Sequence, residues 1–447
     1  MKKLTALFLT LIMAVSLIAC GTKLDAPDVP DEPQQTSEPV EPFQQTATIE
    51  ETVLYDENDV KITATSLSYN NYSVQLNLLI ENNSNKDLSF VSGSIGYSQN
   101  SINQYMVQDG YLNCDVKAGM KANEDMSFDY SELMMYGITA VAEMEIAISI
   151  TDADYNHIYT GPLPLRTSIA DTYEVVADGY KKALSNTTLQ DSLGYTVNCF
   201  DSTRTEIQSG VSVVSGAQCS NHDDKCHLLV EVENTTNQQV TLGISEIAVN
   251  GLLIESGTWT GRTINAGRKA VIDIDINLVK DSSILNAYGI KNIEQVDFVA
   301  SPYNEQNNPI ANIPVHFSLT DSPSAAQISG KEVYNAHNLR ITSSGFVVDS
   351  DDDLNLLLAV ENIGAIAVTV SDVFDSLSVN GYMSDYICYD ESIPAGKACA
   401  FIIELDEDDL SNNGITAPEQ IKNLTIDLKI HDGQYKEIDT PTLKLEF

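Results

Sequence analysis

The chain has 447 residues with 64 acidic against 24 basic side chains, a net charge of −40. Acidity spread along the whole length excludes nucleic acid and other polyanions as partners. It suits an exposed, salt-tolerant surface, and the length past the first fifty residues allows about two to four domains with real cores.

Lys2 and Lys3 precede an uncharged apolar run from Leu4 to Ala19. That is the layout of an export signal, too short to span a bilayer as a stable helix. The run ends Leu17-Ile18-Ala19-Cys20-Gly21. It resembles the lipobox of bacterial lipoproteins of the Gram-positive type, where an aliphatic residue and a small residue precede the acceptor cysteine. The resemblance implies a signal peptide over 1–19, cleavage between Ala19 and Cys20, and diacylglycerol on the Cys20 thiol. More than one acyl chain anchors stably, so the mature chain is expected outside the cytoplasm, held to the cell membrane by its N-terminal lipid. Residues 20–50 then alternate Pro27, Pro30, Pro33, Pro39 and Pro42 with acidic residues. So little apolar surface cannot offset ordering entropy, and a disordered, self-repelling stalk is expected.

Beyond the stalk one set of landmarks recurs three times in order. The first copy runs Val60-Lys61-Ile62, Glu81-Asn82, Ile102-Asn103-Gln104-Tyr105-Met106, Ala118-Gly119-Met120-Lys121 and Tyr136-Gly137-Ile138. The second runs Val211-Ser212-Val213, Glu233-Asn234, Val249-Asn250-Gly251, Ala266-Gly267-Arg268-Lys269 and Tyr288-Gly289-Ile290. The third runs Leu339-Arg340-Ile341, Glu361-Asn362, Val379-Asn380-Gly381-Tyr382-Met383, Ala395-Gly396-Lys397 and Asn413-Gly414-Ile415. We therefore expect repeats over 51–168, 205–322 and 332–447, with a linker or insertion at 169–204 and a shorter linker at 323–331.

Each copy reads as mostly strand. Met144, Ile146, Ile148 and Ile150, then Ile272, Ile274 and Ile276, then Leu424, Ile426, Leu428 and Ile430 alternate with polar residues. That period of two means one buried and one wet face. Asn250-Gly251 and Asn380-Gly381 have the composition of two-residue hairpin turns, and the Glu-Asn and Ala-Gly steps are expected to turn as well. A short helix should precede each Gly-Ile step: Ser131 to Tyr136 in the first copy, opened by Ser131 as cap and stopped at Gly137, and Asp409 to Asn413 in the third. A further helix is expected over Asp171 to Leu184. About seven strands and one short helix per copy make the fold class all-β, three tandem immunoglobulin-like β-sandwich domains. The copies resemble immunoglobulin-like domains repeated in Gram-positive surface lipoproteins of unknown function, a likeness that carries no functional residues.

Six cysteines remain beside Cys20. An even number in an exported chain permits disulfides, and Cys219 with Cys226 and Cys388 with Cys399 are the locally plausible pairs, with free thiols as the alternative. Cys219, His222, Cys226 and His227 form the densest group of metal-ligand types, though their spacing matches no ordinary zinc knuckle. Asp349-Ser350-Asp351-Asp352-Asp353 lacks the glycine and glutamate that an EF-hand requires and is expected to be a solvated loop. No nucleophile elbow, metalloprotease helix or phosphate-cradling loop appears. No cofactor and no catalytic residue is expected. The expected role is non-enzymatic: presentation of the β-sandwiches to an envelope protein or glycan. The alternative is a solute- or metal-binding lipoprotein of a transport system, which usually needs two α/β lobes.

Overall fold

The computed structural model describes residues 41–93, 99–176, 178–221, 226–255, 260–276, 282–304, 307–349 and 352–447. Cys20 and most of the segments expected to be signal peptide and stalk therefore lie outside the described residues. The fold is all-β: strands dominate and form several sandwich-like sheets, with a few short helices between them.

The alternating segments become strands as their pattern requires. In Glu143–Asp152 the buried residues include Met144, Ile146, Ile148 and Ile150, and in Asn423–Asp432 they are Leu424, Ile426, Leu428 and Ile430. Asn250-Gly251 joins Val249 to its partner Leu252 with φ of 49° and 82°, and Asn380-Gly381 joins Val379 to Tyr382 with φ of 52° and 85°. Two positive φ values in a two-residue loop twist with the strands.

The short helices are Tyr130–Met135, Ser282–Ala287 and Glu407–Asn412. All three stop in the same way. Gly137, Gly289 and Gly414 take φ of 75°, 73° and 77°. The amides of Ile138, Ile290 and Ile415 then donate back to the carbonyls of Leu133, Leu285 and Leu410, each at 2.9 Å. This is the Schellman stop, and its left-handed residue is the reason for glycine. The first helix starts one residue before Ser131. Its N-cap is Asp129, which also ends a strand and whose side chain makes no cap bond. The third is capped as its acidic run suggests, with the Asp406 side chain accepting from Asp409 N at 2.8 Å.

Two asparagines per repeat hold the loops. Asn82, Asn234 and Asn362 end strands and are buried, and their side chains turn back over the loop that follows. Asn82 Nδ2 donates to Lys86 O and Val116 O, both at 2.8 Å; Asn362 Nδ2 donates to Ile366 O at 2.8 Å and Ile393 O at 2.9 Å. The Glu-Asn step is thus a clasp rather than a simple turn. Asn103, Asn250 and Asn380 form the second set. Each Nδ2 donates to one carbonyl (Ala140, Asn292, Gln420), and each Oδ1 accepts two successive amides (Ala142 and Glu143, Glu294 and Gln295, Lys422 and Asn423). Backbone groups out of reach of a ladder are thereby satisfied.

The repeats share sheets, and the described residues fall in one compact unit. The first sheet orders Thr52–Glu57, Val60–Tyr69, Ser73–Asn82 and Lys121–Asp129. The second sheet begins in the first repeat and continues into the second, joined where Tyr105–Met106 lies parallel to Lys269–Asp275. The third passes from the second repeat into the third, joined where Leu252–Glu255 lies parallel to Ala398–Leu405. Three apolar cores lie along this series, the first around Phe90 and Phe128, the second around Phe298 and Phe317, the third around Phe401.

Two segments differ from expectation. The end of the stalk is docked: Phe43 and Ala47 are buried, and the Phe43 ring stacks on Tyr130 at 4.4 Å. Burial of this ring is joined by backbone bonds, Gln44 N donating to Thr139 O at 2.7 Å and Ser168 N to Thr48 O at 2.8 Å. In the insertion, the helices are Gly179–Ser185 and Thr187–Leu193, not Asp171 to Leu184. Tyr180, Ala183 and Leu184 pack inward as expected, but Val175 and Val176 precede the helix and stay exposed.

Candidate functional site

The insertion closes one side of a groove where the first repeat meets the second, a cavity of about 430 Å³. The Asn103 turn sets Tyr105 into it, and the parallel junction places Tyr105 opposite Lys269. The Tyr105 ring stacks on Tyr136 at 5.2 Å, and both lie within 6.4 Å of Tyr180. Tyr105 Oη donates to Glu231 Oε1 at 2.7 Å, Ser215 Oγ donates to Glu231 Oε2 at 2.9 Å, and Lys269 Nζ stands 3.1 Å from Glu231 Oε1. Arg204 pairs with Glu233 at 2.8 Å. A carboxylate as buried as Glu231 is stable only with such partners.

Burial raises the pKa of all three tyrosines above the ordinary phenol value; Glu231 adds to the effect at Tyr105, and Glu132 at Tyr136. They stay protonated and offer hydrogen bonds rather than nucleophiles. The Tyr180 hydroxyl is buried without a hydrogen-bond partner among the described residues. The groove thus combines a buried tyrosine cluster, two carboxylates, two cations and a hydroxyl without a partner among the described residues. It suits a polar ligand with apolar faces.

The residues singled out by spacing do not come together. Ser220 pairs with Cys226 and Cys219 with His227 across the hairpin. Neighbouring positions of a strand point to opposite faces, so Cys219 enters the first core and Cys226 the second. The pair can neither form a disulfide nor share a metal ion, and His222 lies outside the described residues. His227 sits 2.9 Å from Asp273. No group of three potential metal ligands gathers among the described residues.

Cys388 stands opposite Ile403 in its ladder, four positions from Cys399 on the same strand. That is about 13 Å at ~3.3 Å per residue, whereas a disulfide needs Cα atoms within about 7 Å. Both remain thiols. Asp349 secures its own loop, accepting from Asp353 N and Asn355 Nδ2 at 2.9 Å, while Ser350 and Asp351 lie outside the described residues.

Of the groove residues, Tyr105, Tyr136, Glu233 and Lys269 stand in the sequence only as repeat landmarks, with nothing to mark them as a site. The available signal was Glu231, a lone carboxylate inside the apolar run Leu228 to Val232.

No protein-family model matches the chain, and no curated protein matches it. Among solved structures it is similar to an exo-chitosanase of Amycolatopsis orientalis, at 13% identity and a TM-score of 0.18, over 50% of this chain and 26% of that one. It thus spans about a quarter of that enzyme's length. A protein of unknown function from Porphyromonas gingivalis W83 is 13% identical with a TM-score of 0.16, over 50% of this chain and 92% of that one. The YadV chaperone is 11% identical with a TM-score of 0.17, over 49% and 92%. Superpositions this loose carry no argument about activity.

Proposed function

We propose that this chain is a non-enzymatic lipoprotein, held to the outer face of the membrane through Cys20, that presents its fused β-sandwiches to an envelope glycan or protein. The observation that supports it is the groove at the first junction. Its carboxylates and cations, backed by a packed tyrosine cluster, suit the hydrogen bonding that a sugar's hydroxyls offer. Its charged groups are engaged with one another, and its tyrosines are held protonated, which suits recognition better than proton transfer. The acidic stalk supplies reach.

The anchor is tested by Cys20→Ala, which should abolish fatty-acid labelling and release the protein from the membrane fraction. Undiminished labelling would refute lipidation at that residue. The groove is tested by thermal shift with fragments of cell-envelope glycans. Saturable stabilisation that disappears in Arg204→Ala, a substitution at the exposed rim, is the expected result. Stabilisation by a divalent cation or small solute, with none by glycans, would favour the transport-receptor reading instead.

A further inference from the structure

Both junctions between repeats are made from the same part, in the same register. Tyr105 stands two residues after Asn103 and lies opposite Lys269, three residues after the alanine of an Ala-Gly turn. Lys269 N donates to Gln104 O at 2.8 Å. Leu252 stands two residues after Asn250 and lies opposite Ala398, again three residues after the alanine. The next residue inserts each time: Met106 belongs to the core of the second repeat, Leu253 to that of the third.

The third repeat carries this donor strand and leaves it open. Tyr382–Met383 follows Asn380-Gly381 and pairs with Ser378–Val379. Tyr382 is 55% and Met383 60% exposed, against 7% and 0% for their counterparts Tyr105 and Met106.

The first repeat carries the matching acceptor, also open. Lys121–Asp129 ends its sheet among the described residues, pairing with Ser73–Asn82. Asn82 N donates to Met120 O as Asn234 N does to Arg268 O and Asn362 N to Lys397 O, so the Lys121 amide faces the open edge as the Lys269 amide faces Gln104. Met120 is 59% exposed where Arg268, its counterpart, is covered by the first repeat.

We propose that Tyr382–Met383 of one molecule docks parallel to the Lys121 edge of a second copy, Tyr382 opposite Lys121 and Met383 seated beside Ala122, extending the internal junction head to tail. The occupant is a second copy because the open strand and the open edge repeat the positions that pair, in one parallel register, at both closed junctions. Lys269 lies over the Tyr105 ring at 5.8 Å, and Lys121, paired with Glu81 within its own sheet, would turn over Tyr382 to make a corresponding cation–π contact. An edge lysine ordinarily discourages pairing; opposite a tyrosine in this register it favours it. A contact between unlike ends is heterologous, so each copy offers a free donor and a free acceptor and the assembly propagates head to tail. With a net charge of −40 the copies repel, and added salt should strengthen the contact.

The test uses the full lipidated chain in cells, with a photo-cross-linking residue at position 382 and isotopically heavy and light copies mixed. Expected are heavy–light cross-links from position 382 to residues 117–126, reduced by about tenfold or more in Met383→Asp and in Lys121→Glu. Because the first variant alters an exposed donor and the second an exposed edge, a fold defect common to both is not expected, and circular dichroism checks it. Cross-links from position 382 to another protein, or to a different face of this chain, would overturn the proposal. So would an absence of cross-links between copies.

Discussion

Asn234→Ala is expected to destabilise the protein by about 3–5 kcal/mol. The side chain is fully buried, and its Nδ2 donates to Gln238 O at 2.8 Å and to Ile264 O and Asn265 O at 3.1 Å. Its Oδ1 accepts from Thr236 N at 3.0 Å and Thr236 Oγ1 at 2.7 Å. Alanine leaves these groups facing a void about the size of a carboxamide, and each unpaired buried group costs about 1–3 kcal/mol. Partial entry of water makes the total smaller than the sum. The measurement is the shift of the urea midpoint at constant slope. A loss below about 1 kcal/mol would show that the clasp is dispensable. The corresponding change at Asn362, whose contacts repeat the pattern, should cost a similar amount.

Arg268→Met is expected to cost about 2–4 kcal/mol, less than a fully buried pair because Arg268 keeps some contact with water. Arg268 crosses from the second repeat to the first: Nη1 lies 2.7 Å from Glu143 Oε1, Nη2 2.8 Å from Glu145 Oε1, and Nε 3.1 Å from Glu145 Oε2. Burial by itself would raise the Glu145 carboxyl. The hydrogen bonds from Arg268, Asn265 and Ser101 outweigh it and hold the pKa below its ordinary value. A carboxyl with a lowered folded pKa stabilises fully above the unfolded value and loses that contribution as pH falls through the folded one. The wild type should therefore weaken below about pH 4. In the variant the Arg268 contributions are lost, the Glu145 pKa rises above its wild-type value, and protonation costs the folded variant less as pH falls. The stability gap between the two proteins should accordingly narrow between about pH 7 and pH 4. A gap that stays constant over that range would show that Arg268 acts by packing alone.

Both substitutions touch residues that stood in the sequence as repeat landmarks, yet neither role was legible there. Glu-Asn and Ala-Gly-Arg-Lys were recognisable because they recur. That Asn234 folds back as a clasp depends on the strand ends that surround it. That Arg268 reaches Glu143 and Glu145 depends on a parallel junction between residues more than a hundred positions apart. The docking of Phe43 on Tyr130 was hidden for a similar reason, since composition averages over a segment while a few placed contacts hold its end.

The sequence by itself determined what is local. Alternation chose the buried faces of Glu143–Asp152 and Asn423–Asp432, Asn-Gly steps chose the hairpin turns, and the glycine after each short helix chose its end. These are properties of φ and of side-chain period, and they need no distant partner. Tertiary structure decided the rest. Sheets run from one repeat into the next, the groove collects Tyr105, Glu231 and Lys269, and Tyr382 with Met383 is left uncovered. Cys219 and Cys226 fall on opposite faces through the pairing of Ser220 with Cys226. The physical reason is register: shifting a ladder by one residue moves every side chain to the other face, and register across distant segments is set by how the cores pack.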